Sequence, residues 1–315
     1  MYYQPDEIWK IFGINSEDDY VAKFVVTGNF HSSVPEDVIK SYVTAEHLMA
    51  LAYLDYPVYD QALQKVLGIY EMSIRLKCAS VGIETTFRTN QRKIRSRNLA
   101  DLIKNLLGNF VPAELEASMD WVKEIRNFHA HPSQYTLMGN LCNRVIVPAV
   151  NLINQIFLPI TWYSDMKNEE ARITDLIDFK NDVFVLNHNN LSILVHQPEI
   201  QKTINVDGIW VFALSFQPVL QNTSKSLSKL SFPEPIIRFL KDERISQNGI
   251  TAIDAQTGEI IQINKTIEKA HIAKYNQHTE EYSLSENFKR FSYESSCQSH
   301  YEVQINQFIH QYCWK

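Results

Sequence analysis

The spacing of apolar residues changes about half-way along this 315-residue chain. Between residues 34 and 163, apolar side chains recur every three or four positions, which is the period of helices with one buried face. From Asp182 onward, the apolar runs are short and rich in branched and aromatic residues, as in strands. The sequence therefore predicts an α+β protein, with an N-terminal antiparallel helical bundle followed by a mixed, strand-rich C-terminal domain.

Five helices are predicted in the first part of the chain from their start and stop signals. Ser33 and Pro35 open the first helix, Pro57 separates it from the second, and Gly82 ends the second. The other three are predicted over residues 99–107, 113–128 and 140–158. Ahead of them, we expect a short helix near residues 6–12 and a strand over residues 21–27.

The second part of the chain carries signals of strands and turns. Strands are predicted over residues 183–186, 191–195 and 209–216, and a hairpin joins residues 251–254 to residues 259–263. A short helix is expected over residues 234–241. Residues 301–309 are expected to form a last strand or helix, and alternating Val303 and Ile305 favour the strand. The polar segment 165–170 is the expected boundary between two domains, 1–164 and 165–315.

The charge balance and the absence of familiar ligand motifs limit the possible functions. The net charge is −6, whereas proteins that bind nucleic acid over their whole surface are usually basic, so any RNA contact requires a local patch. His188 and His196 have no acidic or cysteine partner at ligand spacing, and there is no Gly-rich phosphate loop. We therefore expect no metal and no cofactor. A hydrolase site in the C-terminal half would need acidic side chains clustered in a cleft.

The sequence is expected to belong to a soluble, cytoplasmic protein without a membrane anchor. Its first residues lack the basic start and apolar run of a secretion signal. The longest apolar segment, residues 145–163, is interrupted by Pro148 and Pro159, which indicates a buried helix rather than a membrane span.

A cation, an amide and an imidazole lie close together in the sequence at the end of the fourth predicted helix. Arg126 and Asn127 are followed by His131 and then by Pro132. Arg126 offers a permanent charge that matches phosphate oxygens, and His131 can exchange protons near neutral pH. Pro132 biases His131 away from helical geometry, which would let the ring turn toward Arg126. Because RNA carries its own nucleophile, the 2′-hydroxyl, a base and a cation suffice for cleavage without a metal.

This pattern resembles the Arg-x(4–6)-His motif of HEPN domains, and the surrounding helices of residues 34–163 also fit that family. The resemblance implies an endoribonuclease in which His131 is catalytic, His129 is a helper, and Asn127 orients the phosphate or His131. It also implies a homodimer through the helical domain, with a role in defence or in a toxin–antitoxin system beside an antitoxin or other protein partner. Since many family members are non-catalytic, the alternative is a binding or dimerisation module that docks a protein partner or a nucleotide.

A basic run over residues 88–97 is the second candidate site. It contains five positive charges and no acidic residue, and its cations are Arg88, Arg92, Lys93, Arg95 and Arg97. The run either contacts RNA phosphates, with an affinity that falls as salt rises, or forms a solvated loop between two helices.

Overall fold

Two compact units make up the chain, which the computed structural model describes over residues 4–88, 93–130, 138–176, 182–188, 191–232 and 234–314. The first unit comprises Met1–Tyr163 and His310–Lys315, and the second comprises Ser164–Ile309. The first unit is mainly helical and the second contains a closed barrel with helices, so the α+β class predicted from the change of period is confirmed.

Helices dominate the first part of the chain. In order they are α1 (Ile8–Ile11), α2 (Glu17–Phe24), α3 (Glu36–Leu51), α4 (Val58–Ser80), α5 (Leu99–Leu106), α6 (Glu116–Ala130), α7 (Asn143–Phe157) and α8 (Ile160–Leu176). Short 3-10 turns, Ala113–Leu115 and Gly139–Cys142, precede α6 and α7. The five helices predicted between residues 34 and 163 are confirmed as α3 to α7.

The 23-residue helix α4 is the centre of the first unit, because it packs against α3, α5, α6 and α7. Its fully buried side chains include Leu63, Val66, Tyr70 and Ile74, which recur at helical spacing. The Tyr70 hydroxyl donates a hydrogen bond to the Met119 carbonyl of α6 at 2.9 Å. The N-terminal part of α6, the helix that carries the candidate motif, is therefore fixed to the middle of α4.

The strand predicted over residues 21–27 is wrong, because this segment begins inside α2. The Ser16 side chain accepts a hydrogen bond from the Asp19 amide at 3.1 Å and caps the helix. Tyr20 is fully buried, and its hydroxyl donates to the Met49 carbonyl at 2.5 Å. Capping and burial therefore prevail over the strand preference of Val21 and its branched neighbours.

The polar segment 165–170, which was expected to separate two domains, lies inside α8. The chain also returns to the first unit at its other end. His310 Nε2 lies 2.8 Å from the Thr27 carbonyl oxygen, and Trp314 Nε1 donates to Asn151 Oδ1 at 2.8 Å. Trp314 is buried, so these last residues are part of the core of the helical unit.

The described parts of the basic run form the two paired strands of a β-hairpin, and residues 89–92 between them lie outside the described residues. The strands are β1 (Thr86–Arg88) and β2 (Ile94–Ser96), which pair antiparallel with Phe87 opposite Arg95. The ladder extends past β2, since the Arg97 amide donates to the Thr85 carbonyl at 2.9 Å.

The second unit contains a closed antiparallel barrel. Its strands are β3 (Val183–His188), β4 (Leu191–Val206), β5 (Ile209–Pro218), β6 (Ile236–Ser246), β7 (Gly249–Asp254) and β8 (Ile260–Lys265). Each strand pairs with the next, and β8 pairs with β3 to close the barrel. Three helices accompany it, α9 (Thr223–Ser228), α10 (Lys269–Ser283) and α11 (Asn287–Tyr312).

Alternate residues of the strands fill the barrel with apolar side chains. Phe184 and Leu186 of β3 and Leu214 and Phe216 of β5 belong to one buried cluster, as the two-residue period of a strand requires. The predicted hairpin over residues 251–263 is confirmed as β7–β8. Asp254 Oδ1 accepts the amides of the turn residues Gln256 and Thr257 at 2.8 and 3.2 Å.

One further prediction for the second unit is wrong, and the choice between strand and helix over residues 301–309 is decided for the helix. Residues 234–241 form most of β6 rather than a helix, because pairing with both β5 and β7 supplies the backbone hydrogen bonds. Residues 301–309 lie in α11 rather than in a strand. Its buried side chains include Tyr301, Phe308 and Ile309, whose spacing is that of a helix face.

Within the described residues, no single helix has both the length and the apolar character needed to cross a membrane. By length and composition alone, the bent pair Gly139–Phe157 and Ile160–Leu176 passes the same test jointly, with an angle of 108° between its helices.

Candidate functional site

Arg126 and Asn127 lie in the C-terminal part of α6. Arg126 is four residues after Val122 and seven after Met119, both of which are buried, so its side chain extends from the face that packs on α4. The Arg126 side chain is nevertheless 28% exposed. Asn127 is exposed, and its side-chain oxygen accepts a hydrogen bond from Arg126 Nη1 at 3.3 Å.

The Arg126 guanidinium forms an ion pair with Glu71 of α4. Glu71 also accepts hydrogen bonds from Arg75 Nε and Nη2, at 3.1 and 2.8 Å. Burial alone would raise the pKa of the Glu71 carboxyl, but the hydrogen bonds and charges of Arg75 and Arg126 outweigh it and lower that pKa. The carboxylate is therefore ionised at neutral pH, and the cluster of two guanidinium groups and one carboxylate keeps one positive charge.

This cluster is connected to the basic hairpin. Arg75 Nη2 also donates to the backbone carbonyl of Arg97 at 3.2 Å, directly after β2. A chain of hydrogen bonds therefore runs from Arg126 through Glu71 and Arg75 to the base of the hairpin. Arg88, Lys93 and Arg95 of the hairpin region are exposed, and Arg97 is half-buried. We call Arg126, Glu71 and Arg75 the guanidinium cluster.

His129 is buried, unlike Arg126, with 8% of its surface exposed. Its Nε2 atom lies 3.3 Å from the Met138 sulfur, and the Phe128 ring packs edge-on against it at 5.5 Å between centroids. Burial lowers the pKa of His129, while the charge of Asp60 opposes the change. The ring is therefore neutral at neutral pH and shielded from solvent, which favours a structural role.

Asp60 of α4 anchors the backbone at residues 138 and 139, ahead of α7. Its two carboxylate oxygens accept the amides of Met138 and Gly139 at 2.7 and 3.1 Å. The Tyr56 hydroxyl accepts the Asn140 amide at 2.9 Å. The backbone of Gly139 has φ of +54°, and a Cβ there would overlap with the Tyr56 hydroxyl oxygen. This position therefore requires glycine for both conformation and space.

Three of the residues singled out in the sequence, His131, Pro132 and Arg92, lie outside the described residues. Comparisons with protein-family models, curated proteins and solved structures gave no match. The likeness to HEPN domains accordingly rests on the motif in this sequence and on the helices around it.

Sequence patterns did not point to Glu71 and Arg75, although they complete the surroundings of Arg126. They are four residues apart on one helix, and such pairs are common on helix surfaces, so this spacing carries little information. Among the described residues, no three or more His, Cys, Asp or Glu side chains are grouped as a metal site would need. What the guanidinium cluster can do chemically is attract and orient an anion.

Proposed function

We propose that this chain is a metal-independent endoribonuclease of the HEPN type, with its reaction centre at the C-terminal end of α6. The observation that carries the proposal is the guanidinium cluster, which is partly exposed, keeps one positive charge, and adjoins a basic hairpin in an otherwise acidic protein. Such a cluster suits a phosphodiester, because guanidinium groups bind phosphate oxygens in a bidentate manner.

In the proposed reaction, the ribose 2′ oxygen attacks the adjacent phosphorus while the bond from phosphorus to the 5′ oxygen breaks. His131 takes the proton of the 2′-hydroxyl, and the departing 5′ oxygen takes a proton from solvent. Arg126 stabilises the negative charge that accumulates on the phosphate oxygens in the transition state. The products are a 2′,3′-cyclic phosphate, or the monophosphate formed by its hydrolysis, and a 5′-hydroxyl end. Asn127, hydrogen-bonded to Arg126, orients the same phosphate.

Glu71 keeps the Arg126 side chain in one orientation before substrate binds. An incoming phosphate then shares the guanidinium with this carboxylate instead of having to order a free side chain. His129 supports the fold in this proposal, because its burial keeps it away from substrate.

We further propose that the helical unit forms a two-fold homodimer, as the likeness to HEPN domains implies. Trp121, Ile125 and Phe128 recur at steps of four and three along α6, and Trp121 and Phe128 are 42% and 55% exposed. A stripe of apolar side chains that is open to solvent beside the reaction centre suits a contact with a second copy. The biological setting implied by the family is defence or a toxin–antitoxin system.

Cleavage of RNA by the purified full-length chain in EDTA tests the proposed activity. We expect a 2′,3′-cyclic phosphate product, and we expect Arg126→Ala and His131→Ala each to lower the rate at least a hundredfold while leaving the circular dichroism spectrum unchanged. Arg244→Ala, which removes an exposed cation of β6, is the matched control. Equal rates for Arg126→Ala, His131→Ala and the control would exclude this reaction centre.

A second candidate function is a non-catalytic module that docks a protein partner or a nucleotide. Arg126 already has an acidic partner in Glu71, and the exposed stripe on α6 is suited to protein contact. In this case neither the wild type nor Arg126→Ala cleaves RNA. Trp121→Ser and Phe128→Ser together should abolish self-association in light scattering under either function, so RNA cleavage is the measurement that distinguishes the two. Expression provides a further contrast, because an active ribonuclease slows growth of the host and the Arg126→Ala, His131→Ala double variant relieves it.

A further inference from the structure

The β1–β2 hairpin has two chemically different faces. Side chains alternate between the faces of a strand, and directly paired residues share a face. Since Phe87 pairs with Arg95, these two side chains lie on one face, and Arg97 and Lys93, each two residues from Arg95, share it by the same alternation. Arg88 pairs with Ile94 on the opposite face. One face therefore gathers three cations around an aromatic ring, and we call it the cationic face.

Solvent reaches the cationic face. Phe87 is 42% exposed, and Lys93 and Arg95 are exposed as well. The half-buried Arg97 has an Nε atom that is shielded from solvent and has no hydrogen-bond partner among the described residues. An isolated two-stranded hairpin is only marginally stable in water, so an aromatic ring left open on it contributes little to the fold.

We propose that the cationic face binds single-stranded RNA, with a base stacked on Phe87 and phosphates held by Lys93, Arg95 and Arg97. Alternate residues of a strand are about 7 Å apart, so the three cations form a row that can follow an extended backbone. The exposed ring of Phe87 indicates which class of ligand fits this face. Positive charge alone would suit any acidic polymer, whereas an open aromatic ring among cations matches a chain that alternates phosphates with exposed bases. A duplex hides the faces of its bases, so the strand must be unpaired.

The position of this face links binding to the proposed reaction centre. Arg97 closes the cationic row, and its backbone carbonyl accepts a hydrogen bond from Arg75 of the guanidinium cluster. The Arg97 end of the row is therefore the end that hydrogen bonds connect to the guanidinium cluster, so a strand bound along the row can extend toward that cluster. Binding itself does not depend on cleavage; only the role of this face in presenting a substrate rests on the proposed function.

Fluorescence anisotropy with a labelled 16-nucleotide single-stranded RNA tests the inference. The full-length chain is used in the His131→Ala background and in EDTA, so that binding is measured without cleavage. We expect Phe87→Ala to weaken binding about tenfold, because stacking of one base is lost. Arg95→Gln should weaken binding and lower the slope of log affinity against log salt by about 0.7, the value of one released counterion on a single strand. Arg88→Gln removes an equal charge from the opposite face and should weaken binding less than Arg95→Gln does. The matched control is Arg244→Gln, which removes an exposed cation of β6 and should retain the wild-type affinity.

Three outcomes would overturn the inference. The first is equal binding by Phe87→Ala and wild type, and the second is an equal loss from Arg88→Gln and Arg95→Gln. The third is tighter binding of the same RNA once annealed to its complement. Phe87→Trp tests whether Phe87→Ala weakens binding merely by unfolding the protein, since an aromatic replacement should restore the affinity for RNA that Phe87→Ala loses. If RNA is bound in the expected manner but never cut, the RNA-binding role of the cationic face is supported and the proposed nuclease is wrong. If RNA is cut while Phe87→Ala binds RNA as the wild type does, the proposed nuclease is supported and the role of the cationic face is wrong.

Discussion

Arg126 of α6 and Glu71 of α4 form an ion pair between positions 55 residues apart in the sequence. Both side chains are mostly buried, at 28% and 18% exposure, and Glu71 holds Arg75 as well. The carboxylate therefore has two effects. It fixes the orientation of Arg126, and it competes with any phosphate for the same guanidinium group.

Glu71→Gln should separate these two effects. Loss of the charged hydrogen bonds should lower the free energy of unfolding by about 1–2 kcal/mol. Affinity for RNA should rise about fivefold, since one unit charge near a phosphate is worth about 1 kcal/mol in water-like surroundings. Urea unfolding and anisotropy measure the two quantities. Glu124→Gln, which removes an exposed carboxylate from α6, should change neither. Weaker RNA binding by Glu71→Gln would mean that orientation of Arg126 matters more than competition.

Asp60 should be a main support of the chain that follows the motif. Asp60→Ala leaves the amides of Met138 and Gly139 without their acceptor, which should lower the free energy of unfolding by about 2–4 kcal/mol. Asp60→Asn keeps one carbonyl oxygen and should lose about half as much. Urea unfolding gives the values, with exposed Asp175→Ala as the control. If Asp60→Ala unfolds at the same urea concentration as the control, the two amides have other acceptors.

Gly139→Ala should be more destabilising than alanine at an unobstructed glycine. The new Cβ would overlap with the Tyr56 hydroxyl, in addition to the strain of a positive φ. Gly108 is the matched control, because its φ is +82° but no atom lies within 4 Å of the point that a Cβ would occupy there. We expect Gly108→Ala to lose about 1 kcal/mol and Gly139→Ala at least twice that. Thermal unfolding compares the two variants, and equal losses would show that Tyr56 moves aside at no cost.

Acid should weaken the second unit through His196, a buried residue of β4. Neither ring nitrogen has a hydrogen-bond partner among the described residues. The groups of α10 that face it are His278 and Tyr275, with ring centroids at 5.1 and 5.3 Å. His278 is itself buried beside Thr223 of α9. Burial, and then the neighbouring His278, lower the pKa of His196 to about 4.

The direction of the pH effect follows from which state takes up the proton. Above pH 6.5 the His196 ring is neutral in both the folded and the unfolded protein, so it does not lower the free energy of unfolding. As the pH falls from 6.5 toward 4, only the unfolded chain binds the proton, and stability is lost progressively. The difference between these values corresponds to roughly 3 kcal/mol. His196→Leu should remove much of this loss in unfolding measured at pH 7 and pH 4.5, whereas His300→Gln should not. An unchanged pH profile for His196→Leu would assign the acid sensitivity to other groups.

Local patterns predicted most elements of the helical unit. The stripes of α3 to α7 follow the period of a helix because each of these helices packs one face on a neighbour. The prediction of a strand over residues 21–27 was wrong because the branched residues at 21, 25 and 26 suggest an extended backbone. The Ser16 side chain that caps the helix lies before this segment, so the segment alone does not reveal it. In β6, the apolar residues Ile236, Ile237, Phe239 and Leu240 also fit a helix face, and only the barrel strands on either side decide between the two.

The candidate site was predictable only in its local part. The Arg126 motif occupies one short segment, so its chemistry is visible in the sequence. Glu71 and Arg75 belong to it through folding, and no spacing rule connects residues 55 positions apart. The hairpin is likewise predictable only in part. The charges of the basic run can be read from the sequence, but their arrangement on one face depends on the pairing of Phe87 with Arg95.

The return of residues 310–314 to the helical unit also has a consequence for synthesis. Asn151 receives its hydrogen bond from Trp314, a residue made 163 positions later, after the entire barrel. The core of the helical unit is therefore complete only after Trp314, which follows the end of α11, has been synthesised. A fragment that stops at Tyr163 would lack the tryptophan that donates to Asn151 in this core.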